Sequence, residues 1–134
     1  MKFKTIKVKT PEREILVDIT GKITQFVRES GIKEGICRIF IPHTTAAITI
    51  NENADPAVKT DIIQHLRKLI PKNASFSHME GNSDAHIKST LTSPSLTVLI
   101  HEGKVVLGTW QGIMFAEYDG PRNRKVHLQV EGKK

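Results

Sequence analysis

GIMFAEYDGPRNRKVHLQV, residues 112–130, decides how this chain folds. It opens on an apolar run, Gly112–Tyr118, and breaks at Asp119-Gly120-Pro121-Arg122, which is turn chemistry. It closes on Lys125–Val130, where apolar and polar residues alternate and Val126, Leu128 and Val130 share one face of a strand. Upstream, SLTVLI (95–100) and KVVLG (104–108) have the same strand-like character, so the last third of the chain is β-rich.

Further out, ICRIFI (36–41) and AAITI (46–50) read as strands flanking PHTT. At the N-terminus, 2–9 and 13–17 are strand-like, anchored by Phe3, Ile6, Val8, Ile15 and Val17, with TPERE (10–14) as the hairpin turn between them. Two segments switch to helical spacing. Ile19, Ile23, Phe26 and Val27 predict a helix with Asp18 or Thr20 as its N-cap and Gly31 at its end. Val58, Ile62, Leu66 and Leu69 predict the inner stripe of a second helix, with Asp55 as N-cap, Pro56 in the first turn and Pro71 after the end. A short third helix is expected from about Asp84 to Leu91. Early helices and late strands argue for an α+β fold: a largely antiparallel β-sandwich with two main helices, in a single domain over residues 1–134.

A chain of 134 residues can bury a core of its own. Cys37 is the only cysteine, so no disulfide forms within the chain, and its apolar neighbours suggest a buried structural thiol. There is neither a membrane-length apolar run nor the apolar core of a secretory signal, and the expected location is the cytoplasm. Lysine and arginine total 20 against 14 acids, a net charge of +6 that suits a phosphorylated small molecule or nucleic acid. Aromatic residues are only 5%, which weighs against a single-strand stacking platform and makes nucleic acid the weaker expectation.

Four polar motifs are candidates for a site. In PHTT and the following NENAD, His43, Thr44 and Thr45 could bind phosphate or orient another group; the alternative is a Thr-rich turn with His43 on the core. Asn51 and Glu52 lie just before the second helix, where Asp55 reads as the N-cap and Glu52 is less easily explained. In SHMEGNSDAH (77–86), His78 and Glu80 are two apart, as are Asp84 and His86, with Asn82 between. Two imidazoles and a carboxylate could ligate a divalent metal, or His86 could act as a general base; a hydrophilic capping loop is the alternative. In GTWQGI (108–113), Trp110 could stack on a planar ring while Gln111 bonds its edge, with Gly108 and Gly112 allowing close approach; a tight hairpin around a buried tryptophan is the alternative. In EYDGPRNR (117–124), Arg122 and Arg124 point the same way if the chain is extended, an arrangement suited to phosphate or pyrophosphate, unless they belong to a solvated turn.

HTTAAITINENAD, SHMEGNSDAHIKSTL, GTWQGI and DGPRNR, in that order, resemble the YjbQ-like family, also called the secondary thiamine-phosphate synthase family. The resemblance runs from about Phe3 to Val130. It implies a compact α+β domain with a β-sandwich core, assembly as a homotrimer, and a weak, secondary thiamine-phosphate synthase activity. That reaction joins a pyrimidine diphosphate to thiazole phosphate and releases pyrophosphate. The family's motif histidines match His43, His78 and His86; its acids and amides match Asn51, Glu52, Glu80, Asn82 and Asp84; its late motifs match Thr109, Trp110, Gln111, Asp119 and Arg122. Where the family often has another histidine, this chain has Pro42, so a four-histidine site is not expected. The expected cofactor is a divalent metal held at His78 and His86: zinc suits the imidazoles, magnesium the neighbouring carboxylates. The implied site is built at a subunit interface, and the rival expectation is a non-catalytic binding protein for a phosphorylated metabolite.

Overall fold

A computed structural model describes residues 1–134. Its elements run β1 (Lys2–Lys9), β2 (Ile15–Asp18), α1 (Thr20–Ser30), β3 (Glu34–Phe40), β4 (Ala46–Glu52), α2 (Pro56–Leu69), α3 (Ser83–Thr92), β5 (Ser95–His101), β6 (Lys104–Val105), β7 (Gln111–Glu117) and β8 (Asn123–Lys133). Two antiparallel sheets form, one ordered β1-β8-β3-β5-β6 and the other β2-β7-β4. The α+β sandwich expected from the sequence is present. The short third helix is a full element, one residue longer at each end than expected.

The main core lies between the sheets. The larger sheet sends in Ile6, Val8, Cys37, Ile39, Val98, Ile100, Val126, Leu128 and Val130, and the smaller sends in Ile48, Ile113 and Phe115. Ile23, Phe26 and Val27 of α1 complete it. Each such side chain removed from water stabilises the fold by roughly 1.5–3 kcal/mol. Burial pushes the Cys37 thiol up to about 11, as befits a structural residue. A smaller core covers the other face of the small sheet, where Leu16, Ala47, Met114, Ala116 and Tyr118 meet Ile63 of α2 and Ala85 of α3. Strand β7 is therefore buried on both faces, which explains why residues 112–116 form an unbroken apolar run while β8 alternates.

Two local expectations are corrected. TPERE is not a hairpin turn: β1 pairs with β8 and β2 with β7, so the segment carries the chain from one sheet to the other. The inner stripe of α2 is displaced, because Ile63 is its buried residue, Ile62 and Leu66 are only partly covered, and Leu69 is 63% exposed. Of the two readings of Trp110, the buried one is excluded, since 64% of its surface is exposed.

The helix ends follow the expected chemistry more closely. Asp55 caps α2 by accepting from the Ala57 amide at 2.9 Å. Asp18 sits one residue before the cap position of α1 and accepts from the Thr20 amide at 2.9 Å. Gly31 ends α1 at φ 75°, a left-handed conformation that glycine adopts without steric cost. No helix is long and apolar enough to cross a membrane.

Candidate functional site: a polar pocket at one end of the small sheet

The inward-facing rows of three strands change character at one end of the sandwich. Along β1 and beyond it, Ile6 and Val8 give way to Thr10; along β7, Ile113 and Phe115 give way to Glu117; and β8 begins with Arg124 before Val126. These polar groups interlock in the interior. Arg124 Nε donates to Glu117 Oε1 at 2.8 Å, and its Nη2 reaches Glu117 Oε2 and, at 2.9 Å, Thr45 Oγ1. Thr10 Oγ1 donates to Glu117 Oε1 at 2.7 Å. Burial alone would raise the Glu117 pKa, but the hydrogen bonds from Arg124 and Thr10 outweigh it and hold the carboxyl below its ordinary value. The result is a fully bonded ion pair that plugs the sandwich and forms the floor of a pocket.

The pocket has a volume of about 520 Å³ and eleven lining residues, none of them hydrophobic. The segment after β3 contributes Pro42, His43, Thr44 and Thr45; the loop into α3 contributes His78, Glu80 and Asn82; α3 contributes His86; the β7–β8 turn contributes Asp119 and Arg122; and β8 contributes Arg124. The rings of His78 and His86 meet edge to face with centroids 5.4 Å apart. His78 Nδ1 is 3.1 Å from Ser83 Oγ, and its Nε2 is 3.7 Å from Glu80. Asn82 Nδ2 donates to Asp119 Oδ2 at 2.9 Å, whereas its Oδ1 is buried without a hydrogen-bond partner. Arg122 donates to the Asp119 carbonyl at 2.7 Å and to its carboxylate at 3.1 Å.

His43 has a defined role in this geometry. Its Nε2 accepts from the Lys125 backbone amide at 2.9 Å. Burial and the nearby Arg124 charge lower its pKa, favouring the neutral ring. A neutral imidazole that accepts at Nε2 carries its proton on Nδ1. His43 is therefore a hydrogen-bond donor at Nδ1, and its basic nitrogen is already engaged.

Several expected site residues lie elsewhere. Asp84 is fully buried outside the pocket: Arg13 donates to both of its oxygens at 3.2 and 3.0 Å, and Lys88 Nζ donates at 2.8 Å. Burial opposes the Asp84 charge, yet these bonds hold its pKa below the ordinary value, and the residue anchors α3 instead of facing a ligand. Arg124 lines the pocket, but its charge is matched by Glu117, so it does not form a free pair with Arg122. Asn51 and Glu52 shape the loop into α2: Asn51 Oδ1 accepts from the Glu52 amide at 2.7 Å, and Glu52 Oε2 from the Ala54 amide at 2.9 Å.

Thr109, Trp110 and Gln111 lie at the opposite end of β7, where Gln111 is about 20 Å from Glu117 at the usual strand rise. Gln111 Oε1 accepts from the Gly108 amide at 2.7 Å and closes its own turn. The close approach at Gly112 is to Asn53, whose side chain would lie 2.6 Å from an added Cβ, and not to open ligand space. No group of three or more His, Cys, Asp or Glu side chains comes together to hold a metal ion. His78 and His86 supply two nitrogen donors, short of the three protein ligands of a catalytic zinc site.

Glu117, Thr10 and Asn53 were not among the expected site residues. For Glu117 a signal existed, a lone acid within an apolar strand. Thr10 and Asn53 carried none, because their importance depends on which strands meet them. A second hollow of about 390 Å³ lies between α2 and the crossover after β1. Its Glu14 is committed to Arg13, Arg67 and Lys88, and three of its ten lining residues are hydrophobic.

Comparison with known proteins matches this whole architecture. Residues 4–133 fit the family described as UPF0047 protein YjbQ-like. A UPF0047 protein of Methanocaldococcus jannaschii is 59% identical over 96% of this chain and 93% of its own length. The UPF0047 protein YugU of Bacillus subtilis is 45% identical over 97% and 99%. A crystal structure of a YjbQ/UPF0047 family protein from Clostridium acetobutylicum superposes with a TM-score of 0.94 at 48% identity, covering 96% of this chain and 99% of that one. With the motifs, the two-sheet fold and near-complete coverage in agreement, the chain belongs to the YjbQ-like UPF0047 family.

Proposed function

We propose that the pocket binds a small phosphorylated molecule and that the protein is a transferase of thiamine-phosphate synthase type. The reaction would form a C–N bond between the thiazole phosphate nitrogen and the pyrimidine methylene carbon, as the C–O bond to the diphosphate breaks and pyrophosphate leaves with the electron pair. The observation that carries this reading is the pocket's lining of eleven residues without one hydrophobic side chain, which suits a charged, hydrogen-bonding ligand better than an apolar one. Arg122 would meet the phosphoryl oxygens. The unpartnered Asn82 Oδ1 would accept from a ligand N–H or O–H, since an unsatisfied buried acceptor is costly. His78 or His86, when protonated, would donate to the departing pyrophosphate oxygen as its C–O bond breaks.

The Trp110 turn enters this reading through a second subunit. It lies too far along β7 to share a ligand with the pocket of its own chain, so the homotrimer implied by the sequence resemblance would place Thr109, Trp110 and Gln111 of one subunit against the pocket of the next. A zinc or magnesium ion at His78 and His86 would likewise need donors from beyond the chain, and no step of the reaction is assigned to it.

The test is product formation from the two phosphorylated substrates with wild type and with His78→Ala/His86→Ala, alongside metal analysis of the purified proteins. Turnover that scales with wild-type protein and disappears in the double variant supports the reading. Unchanged binding and turnover in that variant would overturn it. One observation favours a second reading, a non-catalytic binding protein: His43 displays a fixed donor instead of a base. Tight ligand binding without turnover in any substrate pairing would select it.

A further inference from the structure

The histidine pocket adjoins a second concavity of different chemistry. A hollow of about 500 Å³ is lined by Lys7, Lys9, Lys22, Asn123, Arg124 and Lys125, together with Val8, and no acid is among them. None of the four lysines lies within ion-pairing distance of a carboxylate. Their placement is set by the fold. Lys7 lies directly opposite Lys125 in the β1–β8 ladder, and Lys9 lies opposite Asn123. Lys22, from α1, donates from its ammonium to the Lys7 carbonyl at 2.8 Å, bringing a fourth cation to the same edge.

Like charges directly opposite in a ladder destabilise it. The contrast with Lys88 is clear, since that ammonium is held between Glu14 and Asp84. Arg124 forms a wall of both concavities, and the Lys125 amide that binds His43 joins them through the backbone.

We infer that the lysine hollow is an anion subsite for a diphosphate or triphosphate group. Four uncompensated ammonium groups around one hollow match a multiply charged anion, and lysine serves phosphate as a compact point charge. If the proposed function holds, the group bound here belongs to a ligand whose other end lies in the histidine pocket. The anion subsite itself stands on the lysines alone and is tested without turnover.

The experiment is calorimetric titration of the full-length protein with inorganic pyrophosphate and tripolyphosphate. Three proteins are compared: wild type, Lys7→Gln/Lys22→Gln/Lys125→Gln, and His78→Ala/His86→Ala. Wild type should bind the polyphosphates more tightly than inorganic phosphate, with affinity falling as salt rises. The lysine variant should lose affinity by about tenfold or more, as expected for the loss of charge-assisted bonds. The histidine variant should bind tripolyphosphate as wild type does. Because the lysine changes remove the Lys7–Lys125 repulsion, that variant should melt at or above the wild-type temperature, which separates lost binding from lost folding. Absence of polyphosphate binding by wild type, equal binding by the lysine variant, or equal loss in the histidine variant would each overturn the assignment. Tighter binding of a short RNA than of tripolyphosphate would overturn it too, by making the patch a backbone-tracking surface.

Discussion

The two ends of β7 carry comparable numbers of polar side chains but anchor them in opposite ways. At the Glu117 end, the groups are tied together across segments: Glu117 holds Arg124 and Thr10, Arg124 reaches Thr45, and the Asp119 carboxylate accepts from both Asn82 and Arg122. At the Gln111 end, the motif side chains bond locally, and the longer ties run through Asn53, which donates from its side chain to Asp18 and from its backbone to the Trp110 carbonyl. Gln111 closes its own turn, Asn51 and Glu52 bond their near neighbours, and Trp110 is left exposed. The first end is pre-organised, because moving one of its side chains breaks a buried charge pair. The second is held by Asn53 and the β4–β7 ladder, with no buried charge pair behind its motif side chains. The difference teaches that a polar motif at the tip of a strand is not by itself half of a site; what matters is whether the interior behind it is polar or apolar.

The largest effect expected from this contrast is on stability. Glu117→Ala leaves Arg124 charged and buried without its partner and should cost about 3–5 kcal/mol in urea unfolding. A cost near that of an ordinary surface change would mean that the pocket floor is not pre-organised. Next comes Lys88→Met, which removes the ammonium between Glu14 and Asp84 but leaves Arg13 and Arg67 nearby. It should cost about 2 kcal/mol and weaken the hold on α3, which carries His86.

The same contrast predicts a pH dependence. The Glu117 and Asp84 pKa values lie below the ordinary 4.5 and 3.8, so the unfolded chain takes up their protons first. Their stabilisation is complete above those ordinary values and is lost as pH falls through the lower folded ones. Glu117→Gln should therefore flatten the acid limb of stability against pH, and an unchanged limb would count against the assignment.

His43 gives a smaller effect of the same sign. Its folded pKa lies below the ordinary 6.5, so its contribution is complete above that value and fades as pH falls through the folded one. Nitrogen NMR should find a midpoint below 6.5 with the proton on Nδ1 in the neutral form. An Nε2–H tautomer would break the donor assignment. The smallest stability effect is expected at the other end of the strand, where Trp110→Ala should change unfolding free energy by no more than about 0.5 kcal/mol. If a second subunit uses this turn, the same variant should weaken self-association in sedimentation experiments. A large stability loss with unchanged association would reverse the contrast between the two ends.

Much of the architecture was legible because period is a local property. Alternation in Lys125–Val130 marks a half-buried strand wherever it occurs, and the spacing of Ile19, Ile23, Phe26 and Val27 marks a helix face. The hydrophilic stretch around His78 also announced itself, since few loops gather two imidazoles, two acids and an amide so closely. What was not legible depended on partners. TPERE has turn chemistry whether the next strand pairs with the last or leaves for another sheet. Asp84 has the same spacing to His86 whether it faces a ligand or turns inward to Arg13 and Lys88.

The sequence alone determined the α+β class, most element positions, the buried face of β8 and the set of polar side chains from which any site must be drawn, because these follow from spacing and residue chemistry along one segment. Only the tertiary structure decided that His43, His78, His86, Asn82 and Arg122 share a pocket, that Asp84 and Arg124 are bound in ion pairs, and that four lysines from β1, α1 and β8 line one hollow. Those outcomes turn on which strands meet and on which carboxylate reaches which cation once water is excluded, and such pairings between distant segments leave no periodic trace along the chain.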